Sequence, residues 1–213
     1  MRAILGLLTL LVLGLVFFVV PPAEGLGYYV RLAFFHIPVA WAAVIAFLVS
    51  AFQGAKYLRS QEMAADAGSA AAARIGFAFV LLATISGAVF SKLTWGAYWN
   101  WDPRQTTIFV LLLIYGAYLT LRGAMPAGRK RAKAAAVYAL FSFLTVPFLV
   151  FIIPRLYFSL HPSPVINGSG LAMDTVMLAV LMAALVDVTG IFYGLYKWQT
   201  KRLLAEEEHV CAK

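Results

Sequence analysis

Six apolar runs dominate the sequence, at about residues 3–20, 32–55, 75–91, 106–121, 134–153 and 171–196. Each approaches the roughly 20 residues that a helix needs to cross a ~30 Å hydrocarbon layer. In hydrocarbon every backbone N–H and C=O must be satisfied within its own segment, which leaves helices as the natural solution. The expected fold is therefore all-α: a polytopic membrane protein, a bundle of six transmembrane helices in a single domain over residues 1–213. The composition agrees, with 63% hydrophobic and 12% charged residues. An average soluble domain carries about 25% charge. The first run has one basic residue before it, Arg2, and Pro21-Pro22 behind it. Its apolar stretch is longer than the roughly 7–15 residues of a secretory signal core, so it reads as a retained helix.

The net charge of +8 would suit a nucleic-acid binder, but the placement of the charges argues otherwise. The N-terminus, the loops around 56–74 and 122–133 and the C-terminal tail hold 13 Lys and Arg, against 4 on the other side: Arg31, Lys92, Arg104 and Arg155. The positive-inside rule then places both termini in the cytoplasm. The stretch 92–105 becomes an outer loop. The single cysteine, Cys211, excludes an internal disulfide and a C-x-x-C-H haem attachment. The tail KRLLAEEEHVCAK reads as a solvated helical end without chemistry of its own.

That outer loop contains WGAYWNWD, Trp95 to Asp102. Aromatic residues at a membrane interface commonly serve as an anchoring belt. Belts spread over several helix ends, whereas here three tryptophans fall within seven positions. A local platform for a flat ligand is the sharper reading, and in a helical stretch Trp95 and Trp99 would share a face at i, i+4. Asp102-Pro103-Arg104-Gln105 is a good helix start, with Asp102 as N-cap and Pro103 at the first helical position. Gln105 completes a capping-box spacing. Capping and ligand contact are compatible roles for Asp102.

Of three histidines, two fall on the outer side. His36, in FFHIPVAW, lies near the outer end of the second run, two residues before Pro38. His161, in SLHPSP, precedes the last run, with Pro162 and Pro164 to stiffen its loop. Either alone reads as a satisfied polar residue; together, beside the tryptophans, they suit axial ligation of haem. The porphyrin is a broad apolar plate that stacks on indoles. Its propionates need cations, for which Arg104 and Arg155 are placed at helix ends, where both also read as snorkelling anchors.

WGAYWNWD resembles the W-G-x-x-W-x-W-D signature of haem-handling membrane proteins of cytochrome c biogenesis. The six-helix plan, FFHIPVAW and SLHPSP are similar to the cytochrome c maturation protein C (CcmC) family over the whole chain. The resemblance implies that His36 and His161 are axial (metal) ligands of non-covalent haem b, and that Trp95, Trp99, Trp101 and Asp102 form part of the haem surface. It also implies an inner-membrane protein that presents haem on its periplasmic face and loads it onto a periplasmic haem chaperone. The implied partners are an ABC-type transporter, with ATPase and permease subunits, and a small accessory membrane protein. The chain itself has no G-x-x-x-x-G-K-[ST], so ATP use falls to a partner. IIPRLYFSL before His161 departs from the family in lacking tryptophan, with Tyr157 and Phe158 as substitutes. Two rival readings are a cytochrome c synthetase core, which needs further membrane histidines, and a haem permease subunit. The permease needs a polar route, for which Asp187 is the one candidate.

Overall fold

The computed structural model describes residues 2–161, 166, 167, 170, 171 and 173–211. The described chain is a bundle of helices: α1 (Arg2–Phe18), α2 (Ala33–Ser60, entered through a 3-10 turn at Tyr28–Leu32), α3 (Met63–Trp95) and α4 (Pro103–Ala124). They are followed by α5 (Arg129–Pro147), a π-helical segment (Phe148–Ile152), the short α6 (Ile153–Leu156) and α7 (Thr175–Cys211). A two-residue antiparallel pair, Ile166–Asn167 with Gly170–Leu171, lies before α7. Five of the helical stretches are long and apolar enough to cross a membrane, and α1 is a shorter apolar helix. The six-helix expectation holds, with α1 about 25 Å long at 1.5 Å per residue.

The expected loop at 56–74 is helix instead. α2 runs to Ser60 and α3 starts at Met63, leaving Gln61 and Glu62 as the turn. Gln61 adopts a left-handed φ of 56°, and its Nε2 donates to the carbonyls of Tyr57 and Leu58 at the end of α2. Alanine has the highest helix propensity, so the stretch from Met63 to Ala73 winds readily despite its polar flanks. Its small side chains also let helices approach closely. Ser50 and Ser69 exchange hydroxyl-to-carbonyl bonds of 3.0 and 2.9 Å between α2 and α3. A Cβ on Gly76 would lie 2.6 Å from the Phe47 ring. Phe47 in turn stacks on Tyr115 of α4, centroids 3.5 Å apart, in the largest apolar cluster, built from α2, α3, α4, α5 and α7.

A second cluster joins α1 to α7 through Val12, Val16 and Val20 against Met177, Val180 and Leu181. Thr9 Oγ1 donates to Asp187 Oδ1 at 2.9 Å across that contact. Asp187 thus has a partner that the sequence did not reveal. A buried pair was also missed. Arg122 of α4 grips Asp66 of α3 through two bonds of 2.6 and 2.8 Å, and both residues lie in helix where hydropathy predicts loop. The tail is not wholly solvated either: Leu203 is buried against Ala67, Ala70 and Ala71. The antiparallel succession of helices leaves the start of α1, the end of α7, the Asp66–Arg122 pair and the α2–α3 turn at one end of the bundle. The Trp-rich segment and His161 lie at the other.

Candidate functional site

α3 ends at Trp95, and Gly96 closes it in a left-handed conformation with φ of 83°, donating its N–H to Lys92 O. The next helix begins at Pro103, so the connection is Gly96 to Asp102 and no helix carries Trp95 and Trp99 at i, i+4. A small polar frame shapes it. Ser91 Oγ donates to Ala97 O at 2.7 Å, and Asn100 Nδ2 donates to Ser91 Oγ at 2.7 Å. Gln105 does not close a capping box on Asp102: its Oε1 accepts from Asn100 N and its Nε2 donates to Tyr98 O. Asp102 does cap α4, accepting from Arg104 N at 2.9 Å. Ser91 and Asn100 gave no signal in the sequence, because their role exists only once the turn has formed.

Asp102 does more than cap. Its carboxylate also accepts from Ser159 Oγ at 2.9 Å, from Leu160 N at 2.7 Å and from His161 Nδ1 at 3.0 Å. Two elements remote in sequence are therefore pinned by one side chain, which is 1% exposed. Burial alone would raise the Asp102 carboxyl, but the bonds from Arg104 N, Leu160 N and Ser159, with the nearby His161, outweigh it and hold the group below its usual value. Burial pushes His161 below the ordinary histidine value. Asp102 opposes that shift and Arg104 reinforces it. His161 is thus a neutral imidazole with Nδ1–H on the carboxylate and Nε2 open.

His36 comes from the first turns of α2. That helix begins at Ala33, with Pro38 inside it and buried. His36 Nδ1 meets Ser86 Oγ of α3 at 3.1 Å, and the ring lies over Gly87, where a Cβ would stand 3.0 Å from His36 Cε1. His36 and His161 line one cavity of about 370 Å³, together with Trp99, Arg104, Gln105 and Arg155. The rest of its wall is chiefly apolar, from Val30, Ile37, Trp41, Val44, Ile108 and Leu149 among others. Among the described residues Arg104 Nε is buried without a hydrogen-bond partner. Arg155 also gives one guanidinium N–H to the Phe151 carbonyl. That carbonyl lies in the π-helical segment between Pro147 and Pro154, two residues without an amide proton.

The expected site residues divide. His36, His161, Trp99, Arg104 and Arg155 share the cavity. Trp95 reaches it through His161, edge to ring, at a centroid distance of 4.7 Å. Trp101 stands outside, 76% exposed, perpendicular to Trp99 at 5.8 Å. Its φ of 55° is an unusual conformation for a bulky residue. The three indoles are therefore not one slab. Arg31 and Lys92 are engaged elsewhere, on Val20 O and the Tyr28 ring, and on Gly96 O and the Tyr98 ring. Pro162 and Pro164 lie outside the described residues. The cavity is chiefly apolar, with two imidazoles and two guanidinium groups in its lining.

Fold and site together define a multi-pass helical membrane protein with an apolar, histidine- and arginine-lined ligand cavity near one end. A profile of the CcmC family, described as heme exporter protein C, matches residues 1–212, and the chain belongs to that family. The heme exporter protein C of Bradyrhizobium diazoefficiens is 31% identical over 171 residues, 80% of this chain and 65% of that protein. The match thus spans a little less than two thirds of that relative's length. A putative cytochrome c biosynthesis ccmC-like mitochondrial protein of Marchantia polymorpha is 26% identical over 87% of this chain and 80% of its own. The heme exporter protein C of Escherichia coli is 32% identical over 56% of this chain and 49% of its own.

Proposed function

We propose that this protein holds haem in the cavity between His36 and His161 and passes it to a periplasmic haem chaperone for the assembly of c-type cytochromes. The observation that carries this reading is the convergence of two imidazoles, from α2 and from the segment after α6, on one apolar cavity. Iron takes imidazole at both axial positions, and Trp99 offers an indole to the porphyrin. Arg104 and Arg155, which line the cavity, are the groups for the propionates. Trp95 and Asp102 act through His161 rather than on haem directly, and Trp101 is free to meet a partner. The names of the relatives, heme exporter protein C, support haem as the cargo.

On this reading the cavity faces the periplasm from the inner membrane, and the end bearing Asp66 and Arg122 faces the cytoplasm, as the basic residues direct. The ABC-type ATPase and permease subunits and the small accessory membrane protein complete the assembly. A permease route through this chain is disfavoured by the engagement of its buried acids, Asp66 with Arg122 and Asp187 with Thr9.

The test is transfer. Membranes containing wild-type protein or His36→Ala, His161→Ala or the double variant are loaded with haem and mixed with a periplasmic haem acceptor. The expected result is reduced haem retention in each single variant and none transferred by the double. Normal retention and transfer by the double variant would overturn the proposal.

A further inference from the structure

The two imidazoles are seated on different chemistry. His161 Nδ1 meets a carboxylate, Asp102, which can only accept, so Nδ1 carries the proton and Nε2 keeps its lone pair. His36 Nδ1 meets the Ser86 hydroxyl, which also stands 3.2 Å from Ala83 O. With the hydroxyl proton on that carbonyl, Ser86 accepts from His36 Nδ1–H and here too Nε2 keeps its lone pair. The tautomers match. The partners do not.

An ionised partner on the remote N–H raises the basicity of a ligating imidazole, and charge-assisted hydrogen bonds are roughly twice as strong as neutral ones. His161 is thus the stronger donor of the two. It is also the more firmly held. Asp102 binds the neighbouring Ser159 hydroxyl and Leu160 amide, and Trp95 packs its edge against the ring at 66°. His36 has only neutral partners, the Ser86 hydroxyl and the Ala83 backbone, and lies over the bare backbone of Gly87, where no side chain stands in its way.

We infer that His161 is the ligand that stays and His36 the ligand that yields when haem is handed on, with Asp102, Ser86 and Gly87 as the positioning residues that set this order. The inference rests on the reading that haem lies between the two imidazoles. It gives haem release a direction: the α2 side opens first, while the loop that follows α6 keeps hold.

Carbon monoxide offers a direct probe. The full-length protein is purified in detergent, loaded with haemin, reduced and exposed to carbon monoxide, which takes the place of one axial imidazole. The C–O stretching band then reports on the imidazole that remains opposite. Asp102→Asn is expected to move the band, because it removes the charge behind His161. Ser86→Ala is expected to leave the band in place and to raise carbon monoxide affinity about 10-fold, the low end of what second-sphere changes do to metal ligation. Asn caps helices as well as Asp, so the first variant keeps α4. Should it nonetheless fail to load, His36→Gly and His161→Gly decide: the band of the first coincides with wild type and that of the second does not. A band that moves with Ser86→Ala and not with Asp102→Asn, a band that moves with neither, or a His161→Gly band that coincides with wild type, overturns the order. The underlying site reading fails separately, and earlier, if the ferric wild-type protein shows no two-imidazole spectrum before carbon monoxide is added.

Discussion

Two buried carboxylates, one at each end of the bundle, do opposite work. Asp66 meets Arg122 in a closed bidentate pair, the side chains 1% and 7% exposed, among alanines that let α2, α3 and α7 approach closely. Asp102 is equally buried but gathers an amide of its own helix start and a hydroxyl, an amide and an imidazole from one distant segment. Just beyond it an Arg104 nitrogen is without a partner among the described residues. At the first end the two charges satisfy each other, beside a cavity of about 580 Å³ that Arg122 also lines. At the second the carboxylate orients a histidine that lines the apolar cavity. The contrast separates charge that maintains a fold from charge that presents a site.

Breaking the first end should have the largest effect on stability. Arg122→Met leaves the Asp66 carboxylate buried without its partner, at a cost of about 3–5 kcal/mol. Thermal unfolding in detergent would show it. The double variant Asp66→Asn, Arg122→Met should recover most of the loss, because a buried pair contributes little net stability when both partners go. A single variant as stable as wild type would mean that the pair is not closed as described.

At the second end, Asp102→Ala should act on the ligand more than on the fold. Loss of the cap costs about 1 kcal/mol, whereas release of the His161 segment should weaken haem binding about 10- to 100-fold. Equilibrium transfer of haem to a soluble acceptor measures the second effect and thermal unfolding the first. Equal losses in both would make Asp102 a cap alone.

The tryptophans divide more finely. Trp99→Ala removes an indole from the cavity wall and should cost about 1 kcal/mol of haem binding. Trp101→Ala, outside the cavity, should leave haem binding unchanged. The same haem titration distinguishes them, and equal losses would restore the shared platform that the sequence suggested.

The smallest effect is on pH dependence. His161 is held below the ordinary value of 6.5, so below that pH the unfolded chain binds more protons than the folded one. The stability it contributes is complete above 6.5 and erodes as pH falls below it. Asp102, held below 3.8, keeps its contribution until pH falls past that value. Apo-protein melting temperatures should be level from pH 8 to about 6.5 and then decline, less steeply in His161→Gln. An equal decline in that variant would remove His161 as a source.

The helices were legible because apolar runs of this length leave the chain few alternatives. The α2–α3 turn was not: an alanine-rich stretch with charged flanks reads as loop by hydropathy, although its alanines favour helix and its packing against α2 and α7 buries it. Asp66–Arg122 stayed hidden for the same reason, since both ends of the pair fell in assigned loops. At the candidate site, residue types in two segments and a strong helix start pointed to His36, His161, Arg104 and Asp102, which the fold brings close together. Sequence alone did not show that Asp102 reaches Ser159, Leu160 and His161, a contact made across 57 to 59 positions. Nor did it show that Gly96 breaks the helix and sets Trp99 and Trp101 at right angles.

The central claim is that two imidazoles, from α2 and from the segment after α6, face one ligand. Electron paramagnetic resonance of the haemin-loaded, detergent-purified protein tests it most directly. The account predicts a low-spin ferric signal of two-imidazole type in wild-type protein, converted to high-spin signals in both His36→Gly and His161→Gly. A high-spin wild-type signal, or a low-spin signal that survives either substitution unaltered, would contradict it.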